Sequence, residues 1–120
     1  MSSFEEIVSV EPEFLRITTT GKYVFEEMLD FLGRVKSQAD GSERSRVLID
    51  SRLIEGKMTE VERFQAGQKI AEIFGNRIKL AILMPEGDVS KLGELTAVNR
   101  GARVIVTNSE AEALTWLGTT

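Results

Sequence analysis

The chain contains neither cysteine nor histidine. The first absence excludes disulfides, thiol nucleophiles and thiolate metal sites. The second removes the commonest general base and the commonest zinc ligand. An enzyme built from this sequence would have to work with Asp, Glu, Lys, Tyr, Ser or Thr. No apolar run approaches the ~20 residues needed to span a bilayer. The start, Met1-Ser2-Ser3-Phe4-Glu5-Glu6, is acidic and lacks the basic beginning and apolar stretch of a signal peptide. The expectation is a cytoplasmic protein with no integral membrane segment. Charge of one sign is not concentrated anywhere. The net charge is −4 with acids and bases interspersed, and no basic stripe suggests a nucleic acid as partner. A glycine-rich phosphate loop is missing as well, since Gly87 stands alone. No cofactor is implied.

What is present is enough for one α/β domain spanning residues 1–120, near the commonest domain size and with an ordinary apolar content of 42%. Ile7 to Val10 alternates apolar and polar residues, Glu11-Pro12-Glu13 breaks the run, and Phe14 to Thr20 is β-branched and aromatic. These two strands are expected to pair as an antiparallel hairpin. From Val24 to Gln38, apolar residues recur at three- and four-residue spacing, the mark of a helix. Arg46 to Asp50 is a strand with an apolar middle, as suits a strand covered on both faces. Thr59-Glu60-Val61-Glu62 is a capping box that opens a helix running to Phe74, with Gly75 expected as its left-handed cap. Ile78 to Met84 is the next strand, ended by Pro85. The turn Glu86-Gly87-Asp88 leads into a helix from Ser90 to Asn99. Val104 to Val106 is the last strand. Ser109-Glu110-Ala111-Glu112 is a second capping box, before a helix carrying Leu114, Trp116 and Leu117. Trp116 is expected to fill the core under that helix.

The order is therefore ββαβαβαβα: an N-terminal hairpin and three βα units, giving a five-stranded mixed sheet flanked by four helices. In such sheets ligands gather at the carboxyl ends of the strands. There the sequence places Asp50, Ser51 and Arg52, read as a polar turn closing the strand, as a candidate ligand or partner edge. Arg52 is a permanent positive charge that an anion would seek. Thr59 and Ser51 are candidate phosphoacceptors, although a helix N-cap accounts for Thr59 equally well. The first helix carries more apolar surface than a minimal core face. Val24, Met28 and Phe31, with the adaptable methionines Met58 and Met84, are candidates for the lining of an apolar pocket. Asp50, Lys57 and Tyr23 form no catalytic constellation, so no enzyme is expected.

The hairpin, the helix after Gly21, the Val47-Leu48-Ile49-Asp50 strand, the later strand Leu80-Ala81-Ile82-Leu83-Met84, and the ending Glu112-Ala113-Leu114-Thr115-Trp116-Leu117 carry a resemblance. Together they resemble the SpoIIAA-like proteins of the STAS superfamily, over nearly the whole chain. The resemblance implies a mixed five-stranded sheet flanked by helices. It also implies a regulatory or protein-interaction module of the kind found in anti-sigma-factor antagonists, which bind a kinase partner and are switched by phosphorylation. The signature Asp-Ser-Ser-Gly of those proteins would fall near Met58-Thr59-Glu60-Val61, where only Thr59 keeps a hydroxyl. Another branch resembles CRAL-TRIO lipid-binding domains. The expected function is thus a non-catalytic regulatory module with a protein partner, expected to pair as a homodimer, without an intact phosphoserine motif. The alternative is a carrier of a small apolar or lipid-like ligand.

Overall fold

A computed structural model describes residues 4–87 and 91–118. Its elements run β1 (Phe4–Val10), β2 (Leu15–Lys22), α1 (Phe25–Gly41), β3 (Arg46–Glu55), α2 (Glu60–Phe74), β4 (Lys79–Leu83), α3 (Lys91–Asn99), β5 (Arg103–Thr107) and α4 (Glu110–Leu117). The expected ββαβαβαβα order is the observed one. The expected helix start at Ser90 and the turn residue Asp88 lie outside the described residues.

The strands lie side by side in chain order, β1-β2-β3-β4-β5. β1 and β2 are antiparallel, and every later pair is parallel. Because each new strand is added on the same side, crossovers of one hand bring their helices to the same face. The core reflects this. Phe31, Leu32 and Val35 of α1, Ile70 and Phe74 of α2, and Ala97 of α3 pack on Leu15, Ile17, Val47, Ile49, Leu80 and Val104 of the sheet. The opposite face is covered by α4, whose Ala113 and Leu117 pack on Leu48, Ala81 and Leu83, with Phe14 beside them.

α2 and α3 approach closely at two glycines. A Cβ on Gly67 would stand 2.5 Å from the Gly93 carbonyl oxygen and 2.8 Å from the Thr96 side chain. Only hydrogen fits there, although glycine in a helix interior costs ~1 kcal/mol relative to alanine. Two ladder edges remain, and they differ. On β5, the Val106 amide donates to Glu94 Oε1 at 2.6 Å and the Lys91 ammonium donates to the Val106 carbonyl at 2.8 Å. Side chains of α3 thus occupy backbone groups that another strand would use. On β1, Ile7, Val8 and Val10 are exposed.

Several sequence expectations are corrected. β3 does not end at Asp50; it continues to Glu55 through a bulge. Thr18 pairs with Asp50 and Thr20 with Leu53, so Thr19 alone faces Ser51 and Arg52. Asp50-Ser51-Arg52 is consequently an interior stretch of strand, held by β2, and not a solvated turn. Gly75 has φ 56° but ψ −142°, so it caps α2 without the left-handed helical conformation. The second capping box is half formed. Ser109 accepts from the Glu112 amide, but its own amide donates to Thr107 Oγ1. Trp116 is only half buried, with the Lys79 ammonium 4.6 Å from its ring centre.

Candidate functional site

Strand alternation sorts the central polar residues to two faces. Asp50 is buried on the α4 face, 8% exposed. Arg52 grips it with both arms: Nε donates to Oδ1 at 2.9 Å and Nη2 to Oδ2 at 2.7 Å. The Arg52 amide adds a bond to Oδ1 at 3.2 Å. Arg16 stands 3.7 Å from the same carboxylate, and both guanidinium groups reach Glu110, at 3.4 and 3.0 Å. Two arginines and two carboxylates form a closed network that pins the first residue of α4 to the sheet. The Arg52 hydrogen bonds hold the Asp50 carboxyl below its ordinary value, outweighing the opposing effect of burial. The same pairing raises Arg52. An anion approaching Arg52 would have to displace two carboxylates, so the expectation that Arg52 awaits an anion is corrected: its charge is already met.

Ser51 points the other way, into a cavity between α1, α2 and the sheet. The cavity measures about 100 Å³. It is lined by Met28, Phe31 and Leu32 of α1, Ala66 and Ile70 of α2, and Thr19, Ile49, Ser51, Ile54 and Ile82 of the sheet, with Tyr23, Met58 and Met84 from connecting segments. Of the residues that the sequence suggested for an apolar pocket, Met28, Phe31, Met58 and Met84 meet here. Val24 does not; it is the N-cap residue of α1 and is exposed. A second void of about 60 Å³, between α2, α3, β4 and β5, shares Met58, Ala66, Ile70, Ile82 and Met84 with the first.

Polar groups in the cavity are few. Thr19 is buried and donates to Ser51 Oγ at 2.9 Å. The Tyr23 hydroxyl donates to Glu62 Oε1 at 3.2 Å. Burial, reinforced by the neighbouring Glu62 carboxylate, pushes the Tyr23 phenol above its ordinary value, so it stays protonated as a donor. Glu62 Oε1 also accepts the Thr59 amide at 3.0 Å, while Thr59 Oγ1 accepts the Glu62 amide at 3.1 Å. Thr59 is exposed and serves as the N-cap of α2 in a complete capping box. Ser51 and Thr59, the two candidate phosphoacceptors, occupy different surroundings. A phosphoryl group on Ser51 would have to enter the cavity, whereas one on Thr59 would meet solvent and the carboxylates of Glu60 and Glu62.

Thr19 and Tyr23 were not among the residues that sequence reasoning assigned to this site. Thr19 carried a usable signal. It alternates with Leu15 and Ile17, so period two places it on their face. Tyr23 heads the apolar stripe of the first helix, but its place in the cavity depends on how the chain leaves β2.

Among the described residues no cluster of acidic side chains could hold a metal ion. Among the same residues no helix is long and apolar enough to cross a membrane.

No protein-family model and no curated protein matches the sequence. A solved structure does match the fold. An anti-sigma factor antagonist from Mycobacterium paratuberculosis superposes with a TM-score of 0.65 over 97% of this chain and 95% of that one, at 13% sequence identity. The chain has the SpoIIAA-like fold. At that identity the likeness is one of fold alone, and activity has to be argued from the residues. On this SpoIIAA-like frame, the described surface includes five exposed apolar side chains on two packed helices: Val61 and Phe64 of α2, and Leu92, Leu95 and Val98 of α3.

Proposed function

We propose that this chain is a non-catalytic regulatory module that works by binding a protein partner, as an anti-sigma-factor antagonist does. The observation that carries the reading is the match to such an antagonist across nearly the full length of both chains. The exposed apolar side chains of α2 and α3 supply a surface of the kind partners cover. A cytoplasmic location goes with this reading. No phosphoswitch is required by it: the Thr59 hydroxyl is used as a cap, and the flanking Glu60 and Glu62 would repel a phosphoryl group. The test is capture from the cells the protein comes from, comparing the native chain with a Val61→Glu/Leu95→Glu variant, followed by intact-mass measurement of the chain recovered. A stoichiometric partner held by the native chain and lost by the variant supports the reading. Equal recovery with both, or none with either, defeats it. A phosphoryl mass on Thr59 or Ser51 would add the switch.

Self-association belongs to the same proposal. The β1 edge, with Ile7, Val8 and Val10 exposed, is the edge not occupied by α3 side chains. Sedimentation at rising concentration should show a dimer that Val8→Lys abolishes, and a monomer throughout would remove this part.

The cavity favours a second reading, a small-ligand carrier. Its size narrows that reading. Sites for drug-sized molecules occupy roughly 300–1,000 Å³, so a cavity of about 100 Å³ favours a guest smaller than a lipid.

A further inference from the structure

We propose that Arg46, Lys79 and Arg103 form a docking row for a helix of a protein partner that carries carboxylates at i, i+4 and i+7. The inference deepens the partner reading and rests on it for the premise that a protein is what docks. It assigns a surface apart from the apolar side chains of α2 and α3.

The three residues are far apart in sequence, and the sheet brings them together. Arg46 pairs with Lys79, and Lys79 with Arg103, in the register of β3, β4 and β5. The next residue of each strand, Val47, Leu80 and Val104, belongs to the core under α1, α2 and α3. Alternation therefore puts the three cations on the α4 side, at the amino ends of the strands. Two contacts agree with that placement. Arg46 Nη1 donates to the Gly118 carbonyl oxygen at 3.4 Å, and the Lys79 ammonium stands over the Trp116 ring.

Like charges side by side on neighbouring strands repel. Elsewhere on this face the chain answers its own cations, since Arg16 and Arg52 meet Asp50 and Glu110. In the row, no carboxylate among the described residues forms an ion pair with Arg46, Lys79 or Arg103. The carbonyl end of α4 engages Arg46, and Trp116 engages Lys79. Arg103 is exposed, and its side chain has no hydrogen-bond or ion-pair partner among the described residues.

Spacing selects the occupant. Neighbouring strands lie roughly 4.8 Å apart, so the row is roughly 10 Å long. Side chains at i, i+4 and i+7 of a helix share one face and span about 10.5 Å. Three same-face side chains of an extended segment spread over about 13 Å and overshoot the row. Among the described residues no helix of this chain carries three acids at the required spacing, so the partner is a different protein. A membrane or a long nucleic acid is disfavoured, because it would also meet Glu11, Glu13 and Glu43 at this end of the sheet, on a chain of net charge −4.

The probe is an alanine-based helical peptide without tryptophan, with glutamates at i, i+4 and i+7. Its control has the same composition, with the glutamates spread round the helix. Trp116 is the chain's one tryptophan, and its contact with Lys79 makes its emission the readout. Titration of the intact chain to millimolar peptide should give a saturable change that added salt weakens. The control should bind roughly fivefold more weakly. Arg103→Glu should weaken the striped peptide roughly fivefold. It should not lower the melting temperature, because it sets a carboxylate beside Lys79. Arg77→Glu reverses an exposed charge at the same end of the sheet but on the α1 side, and should change binding roughly twofold at most. The proposal is overturned if the striped peptide gives no saturable change, if the two peptides bind alike, or if the Arg77 and Arg103 variants lose equally. It is also overturned if single-stranded DNA or phosphatidylserine vesicles bind more tightly than the peptide with the same dependence on Arg103. No cell-derived partner takes part, so failure here leaves the partner reading and its α2–α3 surface standing, and failure of the capture experiment leaves this row standing.

Discussion

Asp50 and Ser51 are neighbours in β3 that face opposite sides of the same sheet, and the two sides handle a polar group by different means. On the α4 side, Asp50 is surrounded by charge and every carboxylate oxygen is answered: Arg52 takes both, and Arg16 stands behind one. On the α1–α3 side, Ser51 stands in an apolar cavity with a single hydroxyl beside it. One helix closes the first side, while three helices leave space on the second. The reason lies in strand alternation and the bulge. Alternation turns Asp50 and Arg52 to one face and Ser51 to the other, and the bulge then returns Ile54 to the α1 side. Satisfied groups make the α4 side a clamp, and the unfilled volume makes the other side able to adapt.

Equal truncations on the two sides test this most severely. Leu83 is fully buried under α4, and Leu83→Ala should lower unfolding stability by about 3 kcal/mol. Ile82, the adjacent residue, is half buried against both voids and already lacks partners on one side. Ile82→Ala should cost only about 1 kcal/mol. Denaturant unfolding of the two variants measures the gap. Equal losses would mean that the cavity side is as well packed as the clamp.

The next effect concerns the clamp itself. Asp50→Ala leaves Arg52 and Arg16 facing a single, half-exposed Glu110. Removing the charged acceptor should cost about 2 kcal/mol, the usual worth of hydrogen bonds to a charged group. It should also loosen α4, which hydrogen exchange at Ala113 would detect. A pH dependence follows. The carboxyl of Asp50 titrates below its ordinary value of 3.8 when the chain is folded. Its contribution is therefore present above 3.8 and is lost as pH falls through the lower, folded value. Native protein should lose stability steeply on acidification below that point, and Asp50→Asn should flatten this part of the curve. A curve unchanged by the substitution would show that the pairing adds nothing in solution.

How far the sequence could be read follows the same division. Elements with a clear period were legible: the α1 stripe, the Val47-Leu48-Ile49 run and the Thr59 capping box all formed. So was the grouping of Met28, Phe31, Met58 and Met84, because helix spacing and strand ends bring them to one end of the sheet. The bulge was not. Asp-Ser-Arg after an apolar run has turn chemistry, and β propensity alone does not extend a strand through it. What extends it is pairing with Thr18, Thr20 and Gly21 of β2, a tertiary contact that leaves no local mark. The Arg52 partnership was half legible. Asp50, two residues away, was an available partner, but Glu110 is 58 residues distant in sequence. Val24 was misplaced for a simpler reason. It precedes the first helical turn, so the helical period does not govern its direction.

At the rim of the cavity, Thr59→Ala should cost about 1 kcal/mol, the common value for an N-cap, since the Glu62 amide would lose its acceptor. Thr59→Ser should restore most of it. If Thr59→Ala instead leaves stability unchanged but removes a captured partner, the hydroxyl serves recognition and not capping.

Ser51→Ala should have the smallest effect, within about 0.5 kcal/mol of the native chain. The substitution removes the acceptor for Thr19, which would ordinarily orphan a buried hydroxyl. Here a replacement is at hand, because the Asp50 carbonyl oxygen lies 3.4 Å from Thr19 Oγ1 and a small shift of that side chain completes the bond. At the same time a hydroxyl leaves an otherwise apolar wall, a change that favours the folded state. The two terms oppose and nearly cancel. Asp50→Ala at the adjacent position has no such substitute, so the ratio of these two neighbouring losses is the sharpest measure of the difference between the faces. Were Ser51→Ala to cost as much as Asp50→Ala, the Thr19–Ser51 pair would be a second clamp, and the cavity side would owe its shape to hydrogen bonding and not to unfilled space.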